Sequence, residues 1–153
     1  MSRHLIIGAS GLVGSHLLRA AQQAGHQAVG TYCSCRAGAL IRLEVGDRAA
    51  VRGVVEADPP AVIHLPAARA HVDLCERDPA ASFDTNVRGV VHVVEAANEA
   101  GATLVYFSSD YVFDGRQGPY RETDPANPIC EYGRQKLQAE HYVALHCRDF
   151  LII

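Results

Sequence analysis

The stretch His4-Leu5-Ile6-Ile7-Gly8-Ala9-Ser10-Gly11-Leu12-Val13-Gly14 decides the fold of this chain. Its first four residues predict a β-strand, and the glycines that follow, at intervals of three, lead into an amphipathic helix. Glycines in a strand–turn–helix unit let the backbone approach a pyrophosphate, which rests on the positive helix N-terminus. The alternative is a plain glycine-lined turn, because the spacing differs from Gly-x-Gly-x-x-Gly. The context favours a dinucleotide site formed by Gly8, Ser10, Gly11, Leu12, Val13 and Gly14.

Outward from this segment, short β-branched runs alternate with longer amphipathic stretches. This alternation is typical of a parallel sheet covered by helices. Further strands are predicted at 27–32, 39–43, 61–65, 103–107 and 150–153, and further helices at 47–57, 79–100 and 131–146. The sequence therefore predicts an α/β fold, a Rossmann-type doubly wound parallel sheet. We expect one NAD(P)-binding domain over residues 1–153, with the sheet incomplete at the C-terminus.

Length and composition exclude several classes of protein. The chain has 153 residues, 14 basic and 17 acidic, with a net charge of −3, and this slight acidity argues against nucleic-acid partners. No apolar run approaches the ~20 residues of a membrane-spanning helix, so no membrane partner is expected. The five cysteines form no Cys-x-x-Cys pair and the histidines have no ligand spacing, so we expect no metal site and reduced, cytoplasmic thiols.

The end of the second predicted strand bears on the choice of cofactor. An acidic residue that would hold the adenosine ribose of NAD is missing between residues 27 and 43, and Arg36 lies in the following loop. An uncharged strand end beside an arginine favours a 2′-phosphate and therefore NADP, with NAD as the alternative. Arg36 could equally be a solvated loop residue. Glu44 and Asp47 are candidates to frame the adenine, and Asp47 is also a candidate helix N-cap.

Tyr132-Gly133-Arg134-Gln135-Lys136 carries the strongest chemical signal, because Lys136 is the only lysine in the chain. Positions i and i+4 of a helix share one face, so the ammonium is expected to lower the pKa of the phenol and make it a usable acid and base. The lysine can also bind ribose hydroxyls. The plain alternative is a surface Tyr–Lys pair.

Ser109 follows the fifth predicted strand, at the carboxyl edge where open α/β sheets bind ligands. A hydroxyl there can polarise a carbonyl oxygen that Tyr132 protonates. The alternative is a serine that caps a turn.

Together these features resemble the extended short-chain dehydrogenase/reductase family. The stretch SSDYVFDGRQGPYRETDPANPICEYGRQKL, Ser108–Leu137, is similar to its dTDP-4-dehydrorhamnose reductase branch and to the related regulatory beta subunits of methionine adenosyltransferase. The stretches VDLCERDP (Val72–Pro79) and ASFDTNV (Ala81–Val87) fit the same group. The resemblance implies catalytic roles for Ser109, Tyr132 and Lys136, a supporting role for Asn86, and cofactor contacts from Ala67 and Ala68. Pro66 departs from the family pattern, since alanine is usual there.

The function implied by this resemblance is NADPH-dependent reduction of a nucleotide-linked 4-keto sugar, as in dTDP-rhamnose biosynthesis. The alternatives are a non-catalytic NADP-binding regulatory subunit, or another reductase or epimerase of the same family acting on nucleotide sugars. A nucleotide-sugar substrate is expected in the first case, and a homodimer is left open. Because members of the family are longer, we expect this chain to lack the C-terminal substrate domain and to be inactive alone.

Overall fold

The computed structural model describes residues 1–35 and 38–153. The predicted contact between Arg36 and a 2′-phosphate lies outside these described residues.

Six parallel strands form one sheet in the order β3-β2-β1-β4-β5-β6. This is the strand order of the dinucleotide-binding Rossmann fold, so the predicted fold class is confirmed. The strand order reverses between β1 and β4, and this is where open α/β sheets bind ligands. The strands are β1 (Arg3–Ile6), β2 (Gln27–Tyr32), β3 (Ile41–Arg42), β4 (Val62–Leu65), β5 (Thr103–Tyr106) and β6 (Phe150–Ile152).

Helices connect the strands: α1 (Leu12–Gln23), α2 (Arg48–Ala57), α3 (Val72–Arg77), α4 (Pro79–Phe83), α5 (Gly89–Ala100) and α6 (Glu131–His146). The predicted single helix over 79–100 is α4 and α5 joined by a π-helical turn, Asp84–Arg88. Such turns are frequent at functional sites, and sequence periodicity cannot show them. Helix α3 was not predicted, because six residues are too few for a periodic pattern.

Element ends follow local chemistry. The Asp47 carboxylate accepts a hydrogen bond of 3.1 Å from Ala50 N, so its predicted role as the N-cap of α2 is confirmed. Strand β3 is shorter than predicted, because only Ile41 and Arg42 pair with β2 and both are exposed at the edge of the sheet.

The main hydrophobic core lies between one face of the sheet and α2, α5 and α6. Leu5 and Ile63 from the sheet belong to it together with Val51, Val94 and Val143 from the three helices. Because α6 packs into this core through Val143, the core fixes the position of α6 and therefore of Tyr132.

Helix α1 covers the opposite face of the sheet. A Cβ at Gly30 in β2 would meet the Leu18 side chain of α1 at 3.1 Å. In the described part of the chain, no helix combines the length and the apolarity needed to cross a bilayer.

Candidate active site

A cleft of about 500 Å³ opens at the carboxyl ends of β1, β2 and β4. It brings together residues that are far apart in the sequence, and five of the predicted cofactor contacts are among them. Those lining it are Gly8, Ser10, Gly11, Ala67 and Ala68 among the predicted residues, with Pro66, Thr31, Cys33, Glu44, Arg69 and Leu74 beside them. The described cofactor candidates that do not line it, apart from Asp47, are Leu12, Val13, Gly14, Tyr132 and Lys136.

The glycines of the first turn make room for this cleft. Gly8 has φ +97°, and a Cβ there would meet Ala67 at 3.0 Å, while a Cβ on Gly14 would overlap the carbonyl oxygen of Gly8. Gly11 is the N-cap of α1 and has no side chain to bond the first-turn N–H groups, which remain available to an anion. Leu12 and Val13, whose side chains are exposed, can offer only their backbone. The turn therefore fits a pyrophosphate.

Glu44, predicted with Asp47 as a candidate to frame the adenine, lines the cleft. Its Oε2 accepts a hydrogen bond of 2.9 Å from the Cys33 thiol directly after β2, and this bond raises the pKa of Cys33. A carboxylate therefore does reach the end of β2, although it comes from the segment after β3. Asp47, predicted as a cofactor contact, points to the start of α2 and is not among the residues lining the cleft.

Helix α6 carries Tyr132 and Lys136, which are only 8% and 3% exposed. It approaches the turn after β5 so closely that a Cβ on Gly133 would overlap the Tyr111 carbonyl oxygen. The Tyr111 ring meets the Tyr132 ring edge-on, with 5.8 Å between centroids. A surface Tyr–Lys pair, the plain alternative, is therefore wrong.

The Lys136 side chain reaches across to β5. Its Nζ donates a hydrogen bond to the Phe107 carbonyl and lies 4.1 Å from the centroid of the Tyr106 ring. Burial lowers the pKa of Lys136 to about 8.

The expectation that Lys136 lowers the pKa of Tyr132 is wrong in this structure. Burial raises the pKa of Tyr132, and the Ser109 hydroxyl is the neighbour that opposes the shift. The physical reason is that the Lys136 ammonium donates to the Phe107 carbonyl, directly after β5, while burial dominates the pKa of the phenol. Tyr132 is therefore held as a protonated phenol, which can give a proton.

Ser109 begins the turn that carries Tyr111. Its hydroxyl accepts a hydrogen bond from Tyr111 N and donates one to Asp110 Oδ1, each at 3.3 Å. It caps a short 3₁₀ turn, Asp110–Val112. The alternative prediction, that Ser109 caps a turn, is therefore confirmed. The same hydroxyl also lowers the pKa of Tyr132, against the larger effect of burial.

Asn86, in the π-helical turn, links the loop after β4 to α6. Its Oδ1 accepts from Arg69 N at 2.8 Å, and its Nδ2 donates to Arg69 O at 3.1 Å and to Gln135 Oε1 at 2.9 Å. Gln135 is 1% exposed and also donates to Ser82 Oγ at 3.0 Å. The sequence analysis missed Gln135, whose signal is a polar residue between Tyr132 and Lys136. In the described ranges, no cluster of three or more His, Cys, Asp or Glu side chains is placed to hold a metal ion.

Comparison with known proteins decides the family. The family model described as RmlD substrate binding domain matches residues 2–153. The chain belongs to this RmlD family. It is 34% identical over 141 residues to the dTDP-4-dehydrorhamnose reductase of Aggregatibacter actinomycetemcomitans, covering 92% of this chain and 46% of that protein. It is 35% identical over 145 residues to the methionine adenosyltransferase 2 subunit beta of Danio rerio, covering 95% and 44%.

Solved RmlD-type structures share the fold. A hypothetical dTDP-4-dehydrorhamnose reductase from Sulfolobus tokodaii superimposes with a TM-score of 0.91 at 35% identity, over 98% of this chain and 54% of that one. The dTDP-4-dehydrorhamnose reductase of Bacillus anthracis, solved in complex with NADP, gives 0.87 at 28% identity, over 99% and 52%. This RmlD-family chain therefore spans about half the length of the relatives it matches. It is related to NADP-dependent oxidoreductases.

Proposed function

We propose that this chain forms the cofactor-binding part of an NADPH-dependent reductase of a nucleotide-linked 4-keto sugar, of the dTDP-4-dehydrorhamnose type. One observation carries the proposal: a buried tyrosine and the only lysine of the chain share one face of α6, which packs against the turn that Ser109 begins after β5. The glycine-lined cleft opens at the carboxyl ends of β1, β2 and β4 of the same sheet. Reductases named for this substrate are among the relatives.

Each of these residues has a role that follows from its surroundings. Bound NADPH would supply a hydride to the carbonyl carbon of the sugar. The Tyr132 phenol, kept protonated by burial, would give its proton to the carbonyl oxygen. The Ser109 hydroxyl would turn its proton from Asp110 Oδ1 to the same oxygen and hold it. Lys136, fixed by the Phe107 carbonyl, would place positive charge beside the site and can donate to ribose hydroxyls. Asn86 and Gln135 would hold the cofactor loop against α6.

NADP is the proposed cofactor, and NAD is the alternative. The glycine turn fits the pyrophosphate of either. Arg69 lines the cleft and Arg36 follows β2 in sequence, so positive charge is available for a 2′-phosphate. The Glu44 carboxylate in the same cleft would suit the free ribose hydroxyls of NAD.

The test is NADPH oxidation in the presence of dTDP-4-dehydrorhamnose. It should be measured with the 153-residue chain and with the full product of the gene's reading frame. We expect the chain to bind NADPH without turnover, because about 1 Å of misplacement of the reacting carbon can cost a hundredfold and the relatives supply further chain. Absence of sugar reduction by the full product would overturn the proposal. Full turnover by the 153-residue chain would overturn the proposal that it is only the cofactor-binding part.

The second candidate is a regulatory subunit that holds NADP without catalysis. It is favoured by the identity to proteins named methionine adenosyltransferase 2 subunit beta, which reaches 38% over 92% of this chain. The two functions are separated by assaying the full product for binding to a methionine adenosyltransferase and for sugar reduction. Binding without reduction selects the regulatory role, and reduction without binding selects the enzyme.

A further inference from the structure

We propose that Glu140 is a positioning residue of this site: its carboxylate supplies the opposite charge for the buried ammonium of Lys136 and ties the end of β5 to α6. The inference rests on the proposed function for its catalytic meaning, but its structural content can be measured separately.

Glu140 lies on the same face of α6 as Tyr132 and Lys136. Tyr132, Lys136 and Glu140 follow one another at intervals of four residues in α6, so they form one stripe along a single helix face. Glu140 is half-buried, and its Oε1 accepts a hydrogen bond from the Ser108 hydroxyl. Ser108 directly precedes Ser109. The bond therefore ties the strand end that presents Ser109 to the helix that presents Tyr132.

The charge of the buried Lys136 ammonium depends on the groups around it. Lys136 is 3% exposed, and a buried ammonium loses its proton readily unless a negative charge lies near. The titratable groups around it are the Tyr106 phenol from β5, the Tyr132 phenol one turn earlier and the Glu140 carboxylate one turn later. Burial raises the pKa of both phenols, so both are neutral at working pH. Among the groups of the described chain that act on Lys136, Glu140 opposes the effect of burial on its pKa.

Two groups therefore act on Lys136 in different ways. The Phe107 carbonyl fixes the direction of the Lys136 side chain, and Glu140 maintains its charge. With a pKa of about 8, Lys136 is mostly an ammonium near neutral pH. Without the carboxylate, a large part of Lys136 would be neutral at the same pH, and the site would lose that positive charge.

The test uses the single lysine of the chain. Lysine labelled with ¹³C at Cε gives one side-chain signal in the 153-residue protein, whose titration midpoint is the pKa of Lys136. In Glu140→Gln we expect this midpoint to move down by roughly one pH unit. Glu99→Gln is the matched control, since it removes an exposed carboxylate of α5, and should leave the midpoint unchanged. Equal midpoints in wild type and Glu140→Gln would overturn the proposal.

Ser108→Ala keeps the charge and removes the hydrogen bond that holds the carboxylate. We expect a smaller downward movement of the midpoint, together with weaker NADPH binding. If Glu140→Gln does not fold, an unchanged midpoint in Ser108→Ala overturns the proposal by itself. The titration requires neither cofactor nor substrate, so a failure of the proposed reductase activity would leave its result standing, and the two outcomes are distinguishable.

Discussion

Asn86 Nδ2 donates a hydrogen bond of 2.9 Å to Gln135 Oε1, and both side chains are almost fully buried. The bond joins the π-helical turn to the helix that carries Tyr132 and Lys136. Because Asn86 also holds both backbone groups of Arg69, which lines the cleft, the cleft and α6 form one connected unit. A disturbance at either end should therefore reach the other.

Replacing Gln135 with Leu should lower the free energy of unfolding by about 1–3 kcal/mol, because the amide of Asn86 loses a buried partner. Gln138→Leu, at an exposed position of α6, should change it by no more than about 0.5 kcal/mol. Urea unfolding of the two variants measures the difference. Equal losses would mean that the network adds nothing beyond the helix itself.

Tyr132→Phe should reduce sugar reduction by the full gene product roughly a hundredfold or more, because the proton donor is lost. NADPH binding should remain within a few-fold of wild type, since the ring and its packing stay. Tyr142→Phe, ten residues further along α6, is the control and should keep full activity. Steady-state rates with and without the substitution test this, and an active Tyr132→Phe enzyme would contradict the assigned role.

Cofactor choice should depend on two opposite charges, Arg36, which follows β2 in the sequence, and Glu44 in the cleft. Arg36→Ala should weaken NADPH relative to NADH by roughly tenfold, the loss expected for a charge-assisted bond of about 1.4 kcal/mol. Glu44→Gln should shift the ratio the other way, because its carboxylate lies in the cleft beside Cys33. Glu56→Gln on α2 is the neutral control. Dissociation constants from calorimetry decide; equal constants for NADPH and NADH in the unchanged protein would remove the preference.

Gly133→Ala should destabilise the fold by about 1–3 kcal/mol, because its Cβ would overlap the Tyr111 carbonyl and force α6 away from the turn that begins at Ser109. Gly53→Ala in α2 is the matched change, since nothing lies within 4 Å of its added Cβ. That variant should gain about 0.5–1 kcal/mol from a better helix former. Thermal unfolding of both proteins gives the comparison, and a neutral Gly133→Ala would show that the helix can move freely.

Stability should fall in mild acid because of a histidine pair between β1 and β4. His4 Nδ1 and His64 Nε2 share a hydrogen bond of 2.9 Å, and burial lowers the pKa of both rings from the ordinary 6.5. The unfolded chain therefore binds these protons first, so their contribution is present above pH 6.5 and is lost as pH falls below it. His4 also faces the His26 ring, which adds to the lowering of its pKa.

The measurement is urea unfolding at about pH 7.5 and about pH 5.5. His64→Gln should show a smaller loss of stability between the two than wild type does. His16→Gln, an exposed ring on α1, should retain the wild-type loss. The same loss in all three proteins would assign the acid sensitivity elsewhere.

Local patterns in the sequence were enough to predict the Rossmann fold. Strand β2 and helix α6 match their predicted ranges, because each has a full run of its own periodicity bounded by turn residues. The short β3 and the six-residue α3 depended on neighbours and were misjudged or missed. The glycine turn and the Tyr132–Lys136 pair were predicted for the same local reason. The three glycines lie within one turn of the chain, and the two side chains lie four residues apart on one helix face.

Relations across elements were decided by tertiary packing. Glu44 reaches the end of β2 from the segment after β3, and Lys136 donates to the carbonyl of Phe107, directly after β5. Burial then reverses the expected direction of the Tyr132 pKa. Sequence spacing determines which side chains share a helix face, whereas desolvation and partners from other strands determine their charge, and these exist only once the chain has folded.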